Sequence, residues 1–133
     1  MTGSRAIRVI VVDDVEELVE AFVDALNAYV DIEVIASAMN GADAVRLATT
    51  LQPDIVLMDI RMPVMDGIKA TAQITKAGVP TKILMMSAYD DESLIDEAIS
   101  AGADGYLVKG TLVADTVAAI RSRMPGRPRT RPA

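Results

Sequence analysis

The sequence predicts an α/β fold: a five-stranded parallel sheet with helices on both faces. Two observations predict it. Short apolar runs alternate strictly with stretches whose apolar residues recur at helical spacing, five units in all. The runs are also apolar along nearly their whole length, as strands buried on both faces must be, instead of alternating apolar with polar.

The elements follow in order. Ile7–Val12 reads as a buried strand that stops at Asp13-Asp14. Glu16 to Tyr29 reads as a helix with Leu18, Val19, Phe22, Val23 and Leu26 on one face. Ile32–Ala38 is the second strand, Asn40-Gly41 a turn, and Ala42–Leu51 a helix closed by Pro53. Ile55–Met58 is the third strand, ending in Asp59, and Gly67–Ala77 the helix that Gly78 and Pro80 end, with Asp66 as its N-cap and Gly67 in a tight loop. Lys82–Met86 runs into Ser87, and Asp91–Ala101 is a helix with Gly102 at its end. Gly105–Val108 stops at Lys109, and Thr111, a candidate N-cap, opens a last helix to about Arg123.

A chain of 133 residues in one such alternation is one domain, with residues 1–123 as its body. No signal peptide and no apolar run of membrane-spanning length is present, so a cytoplasmic protein without a membrane partner is expected. Zero Cys excludes disulfides and thiolate chemistry, and zero His excludes imidazole catalysis and a phosphohistidine on this chain. Residues 1–120 hold 8 Lys/Arg against 19 Asp/Glu, a net of −11, which argues against nucleic-acid binding by the body. Residues 124–133 are rich in Arg and Pro without an apolar face and read as a flexible tail or the start of an interdomain linker, with a DNA-contacting arm as the alternative.

In a parallel sheet all strand carboxyl ends share one edge, where α/β domains place their chemistry. Four of the five runs end there in polar residues: Asp13-Asp14, Asp59, Ser87 and Lys109. Each has a bland reading of its own. Asp14 can cap the next helix with Glu17 completing a capping box, Asp59 can be a loop acid, Ser87 a turn residue and Lys109 a solvated charge. Together they make a carboxylate cluster that needs a cation. Lys109 supplies part of that charge, and an oxygen-ligated Mg²⁺, or Mn²⁺, can supply the rest. A carboxylate nucleophile, a metal, a cation and a hydroxyl are the parts needed to accept a phosphoryl group.

These residues resemble the response-regulator receiver domains of bacterial two-component systems over roughly residues 7–121. The match rests on Asp13-Asp14, on Asp59 within Met58-Asp59-Ile60-Arg61-Met62-Pro63-Val64-Met65-Asp66-Gly67, on Ser87-Ala88 and on Gly105-Tyr106-Leu107-Val108-Lys109. The resemblance implies the flavodoxin-like (βα)5 fold with strand order 2-1-3-4-5. It implies that Asp59 is the phosphoacceptor, served in trans by a sensor histidine kinase. Asp14, Asp59 and the backbone carbonyl of Arg61 would ligate Mg²⁺, with Asp13 acting through water. Ser87, Lys109 and the N–H groups of Arg61 and Ala88 would hold the phosphoryl oxygens. Ser87 and Tyr106 would form the switch. Such a domain is a phosphoacceptor that assists its own phosphorylation and dephosphorylation, not an enzyme acting on a separate substrate.

Within the family, Lys109-Gly110-Thr111 and the stretch from Ser87 are most like LuxR/NarL-type receivers, whose DNA-binding output domain is absent from this chain. Gly110 stands where many receivers carry a cis-proline, which leaves the isomer of that bond open. Arg61 and Tyr89 flank the path of a hydrolytic water and are either modulators of dephosphorylation or ordinary loop variation. Tyr106 is either the switch or a half-buried strand aromatic. A homodimer is a further partner consistent with this reading. Rival functions are a stand-alone regulator that docks on a partner protein, an Mg²⁺-dependent phosphatase with an Asp nucleophile, and a flavin-binding domain. Arg61 replaces the phosphatase's usual second Asp, and the acids of the first loop would repel a flavin phosphate.

Overall fold

A computed structural model describes residues 5–88 and 92–123. The elements are β1 (Ile7–Val12), α1 (Glu16–Asn27), β2 (Ile32–Ala38), α2 (Gly41–Leu51), β3 (Ile55–Asp59), α3 (Gly67–Ala77), β4 (Lys82–Ser87), α4 (Glu92–Ala101), β5 (Gly105–Val108) and α5 (Val113–Ser122). The strands form one sheet in the order β2-β1-β3-β4-β5, every pair parallel, as the sequence predicts.

Side chains alternate across a strand, so each strand divides between two cores. Ile7, Val9 and Val11 of β1, Ile55 and Leu57 of β3, and Leu84 and Met86 of β4 pack with Val19 and Leu26 of α1 and Val117 and Ile120 of α5. The intervening residues, Ile10, Val12, Val56, Met58, Ile83 and Met85, pack with Ala44 and Ala48 of α2, Ala70 and Ile74 of α3 and Ala98 of α4. Burial on both faces is why these strands carry almost no polar residue before their last position. The exceptions are Lys82, which opens β4 in an exposed position, and Arg8, whose guanidinium donates to the Gln52 carbonyl and whose N–H donates to Asp54.

Several boundaries differ from expectation for local reasons. Helix α1 ends at Asn27, not Tyr29, because the Tyr29 N–H turns back to the Leu26 carbonyl three residues before it; the Asn27 side chain accepts the Val34 N–H. Leu18, expected on the buried face of α1, is exposed. Thr111 does not cap α5. Its hydroxyl donates back to the Val108 carbonyl, and Leu112 takes the N-cap position without a side-chain bond. The capping-box reading of Asp14 and Glu17 also fails, since Val15 is the N-cap of α1 and its own side chain makes no capping bond. By contrast Asp66 caps α3 through the Lys69 N–H, and Gly78 closes that helix in the left-handed region. Strands β3 and β4 run one residue further than predicted, taking in Asp59 and Ser87. Asp91, the predicted start of the fourth helix, lies outside the described residues.

At the opposite end of the sheet, Arg121 of α5 makes a two-pronged bond to Asp31, both contacts 2.8 Å, while lying over the Tyr29 ring. This pins the last turn of α5 to the turn before β2. Among the described residues no helix is long and apolar enough to cross a membrane.

Candidate functional site

Strand parity assembles the site. Asp13 continues the face of Val9 and Val11, Asp59 that of Ile55 and Leu57, and Lys109 that of Leu107, so all three fall on the α1/α5 side of one sheet edge. Asp13 is fully buried and Asp59 is 4% exposed, while Asp14 stands exposed at the rim. One carboxylate oxygen from each of the three lies within 4.8 Å of the others.

Lys109 crosses this cluster. Its ammonium donates to Asp59 Oδ2 at 3.0 Å and lies 3.5 Å from Asp13 Oδ2. Backbone donors hold the other oxygens: the Ile60 N–H binds Asp59 Oδ1 and the Val15 N–H binds Asp13 Oδ1, each at 2.9 Å. Asp13 Oδ2 is buried without a hydrogen bond. The backbone of Lys109 is anchored as well, its N–H donating to the Ser87 carbonyl at 2.8 Å. No cis peptide bond occurs among the described residues, so Lys109–Gly110 is trans, with Gly110 at φ +93°.

Two carboxylates share one lysine, and the electrostatics reflect the shortage of positive charge. Burial pushes the Asp59 carboxyl above its ordinary range; the Lys109 hydrogen bond opposes this, and the neighbouring Asp13 charge adds to it. Burial works against the Lys109 charge too, but its contacts with Asp59 and then Asp13 outweigh that and hold it firmly protonated. A group of hard oxygen donors that includes a buried carboxylate oxygen with no hydrogen bond, in a chain without His or Cys, fits a divalent ion such as Mg²⁺. The residues present therefore suit the metal inferred from sequence.

The remaining candidates are placed less tightly. Ser87 ends β4 fully buried, yet its hydroxyl has no hydrogen-bond partner. It shares the face of Ile83 and Met85, on the opposite side of the sheet from Asp59. Ala88 and Arg61 are exposed at the same edge. Tyr106 on β5 is 49% exposed, turned away from the core. Tyr89 lies outside the described residues.

Sequence reasoning missed three features. The Ile60 and Val15 N–H clamps carry no side-chain signal. Gly67 permits a close approach that no other residue could, since a Cβ there would lie 2.1 Å from the Asp59 carbonyl oxygen. Finally, an apolar hollow of about 240 Å³ opens beside Asp13 and Lys109, walled by Leu18, Ala21, Phe22, Ala25 and Val113. The small residues of α1 make room for it.

Comparison with known proteins shows the family and the fold. The family model for the response regulator receiver domain matches residues 9–121. The transcriptional regulatory protein LiaR of Bacillus subtilis is 41% identical over 123 residues, covering 92% of this chain and 58% of LiaR. LnrK, a transcriptional regulatory protein of the same organism, is 43% identical over 111 residues, which are 84% of this chain and 50% of LnrK. The chain thus spans about half the length of these curated relatives. Among solved structures, the signal receiver domain of NarL from Mycobacterium tuberculosis superposes with a TM-score of 0.88 at 34% identity, covering 93% of this chain and all of that domain.

Proposed function

Because this chain belongs to the response-regulator receiver family of two-component systems, we propose that it accepts a phosphoryl group on Asp59 from a histidine kinase in trans, and that this modification is its signal. The observation that carries the reading is the pairing of Asp59 with Lys109 at 3.0 Å inside a three-carboxylate cluster.

Asp59 Oδ attacks phosphorus in line. The phosphorus–nitrogen bond to the donor imidazole breaks, its electron pair stays on the imidazole, and an acyl phosphate remains. The Asp59 carboxylate must be ionised and free to attack, although burial favours its neutral form. A Mg²⁺ held by Asp14, Asp59 and the Arg61 carbonyl, with Asp13 behind it, would neutralise the charge that builds on the phosphoryl oxygens. Mn²⁺ has the same donor preference. Lys109 moves with its proton from the carboxylate to a phosphoryl oxygen. Ser87 and the Arg61 and Ala88 N–H groups take the others. The orphaned Ser87 hydroxyl gives that capture a motive, since a phosphoryl acceptor satisfies a buried donor. Tyr106 then turns toward the space Ser87 leaves, shifting the population between two states of the α4–β5–α5 surface.

The hollow beside Lys109 offers an apolar contact for the donor protein within reach of the acceptor. Since relatives are transcriptional regulators about twice as long, residues 124–133 are read as a linker to a DNA-binding output domain, and DNA contact belongs to that domain. Those ten residues lie outside the described structure.

Incubation with acetyl phosphate and Mg²⁺, followed by intact-mass analysis, tests the reading. The wild type gains one phosphoryl group and Asp59→Asn gains none. No gain in the wild type with Mg²⁺ saturating contradicts it.

A further inference from the structure

The loop between β3 and α3 carries a conformation that its sequence resists. Val64 sits at φ +68°, in the left-handed region, where a β-branched side chain meets its own backbone. The Met65 N–H donates to the Pro63 carbonyl at 2.7 Å, so residues 63–65 form a γ-turn with Val64 at its centre, the strained form of that turn. Packing does not account for it, because Val64 is 84% exposed.

The surrounding backbone holds the turn in place. The Gly41 N–H donates to the Met65 carbonyl at 2.8 Å, and Gly67 N–H donates to the Ile60 carbonyl at 2.7 Å. Both clamps need glycine: a Cβ at Gly41 would lie 2.4 Å from the Met65 oxygen, and one at Gly67 2.1 Å from that of Asp59. Between the clamp at Ile60 and the turn at Val64 lies Arg61. The backbone held between these two points carries the Arg61 carbonyl. If Val64 relaxed to negative φ, the Pro63–Met65 bond would break and the Arg61–Met62 segment would shift.

We infer that Val64 tunes the Mg²⁺ affinity of the site, by opposing the loop geometry that presents the Arg61 carbonyl. This rests on the functional reading above, in which that carbonyl is a ligand. Strain held beside a binding site lowers the fraction of molecules ready to bind, and apparent affinity falls with that fraction.

The test is calorimetric titration of the full chain with Mg²⁺, alongside thermal melts without metal, for wild type, Val64→Asn, Val64→Gly and Val64→Ile. Asn and Gly tolerate positive φ, whereas Ile keeps the β-branch. Val64→Asn and Val64→Gly are expected to lower the Mg²⁺ dissociation constant about threefold or more, with Val64→Ile matching wild type. Val64→Asn is also expected to raise the melting temperature by about 3–6 °C. A higher melting temperature with unchanged Mg²⁺ affinity would overturn the inference, showing strain that never reaches the site. An unchanged melting temperature in Val64→Asn would overturn it too, by removing the strain. A wild type that binds no Mg²⁺, or binds it equally well as Asp14→Asn, would instead sink the functional reading itself, and this inference with it.

Discussion

The two sides of the sheet edge are built differently. On the α1/α5 side, Asp13, Asp59 and Lys109 are joined by contacts of 3.0 and 3.5 Å and clamped by backbone N–H groups. On the other side, the Ser87 hydroxyl is buried without a partner, and Tyr106 on the neighbouring strand is turned out. The half that performs the proposed chemistry is assembled before any phosphoryl group arrives. The half that would report it is not. A switch needs that difference: a rigid acceptor gives a fast reaction, whereas a readout already engaged would have nothing left to change.

Lys109→Ala should break the assembled side most severely. It strands two buried carboxylates without a counter-charge, and because Lys109 is 35% exposed the cost is discounted to about 1–2 kcal/mol. Thermal melts in chelator check this, and Mg²⁺ should recover most of the loss. A melt unchanged from wild type would mean that the pair contributes nothing.

A smaller effect of opposite sign is expected for Asp59→Asn in metal-free buffer. Burial raises the Asp59 carboxyl above its unfolded value, so the folded state favours the neutral form. That preference contributes stability which is fully present below the unfolded value, about 3.9, and is lost as pH rises through the higher folded one. At neutral pH the ionised carboxylate is therefore a burden on the fold. Asp59→Asn should melt about 2–5 °C higher than wild type at pH 7, with the gap closing toward pH 4. A gap that widens in acid would reverse the assigned direction.

The smallest effect belongs to the unassembled side. Ser87→Ala removes a hydroxyl that bonds to nothing, so stability should stay within about 0.5 kcal/mol of wild type or rise slightly. Denaturant titration checks it. A loss above about 2 kcal/mol would show that Ser87 is already engaged, and the contrast between the two sides would collapse.

Much of the assembled side was legible in the amino-acid sequence, because strand parity and a polar stop are both written in residue types. Asp13, Asp59 and Lys109 each end or follow an apolar run with the same parity. What was not legible depended on competition for backbone groups. Thr111 looks like a cap but turns back to Val108. Tyr29 continues the helical spacing of α1, yet its N–H turns back three residues to the Leu26 carbonyl. Val64 gives no hint of its left-handed backbone, since valine is among the residues least suited to it. The hollow beside Lys109 was hidden because it is defined by small side chains, Ala21 and Ala25, that carry no chemical signal.

In the proposed reaction one carboxylate of the cluster, Asp59, takes the phosphoryl group with the metal's help. The most direct measurement is chemical mapping: phosphorylate with acetyl phosphate, reduce the acyl phosphate with borohydride, and locate the resulting homoserine by peptide sequencing in the mass spectrometer. Homoserine is expected at position 59 alone, with none formed when Mg²⁺ is chelated. Homoserine at position 13 or 14, or the same yield without metal, would contradict it.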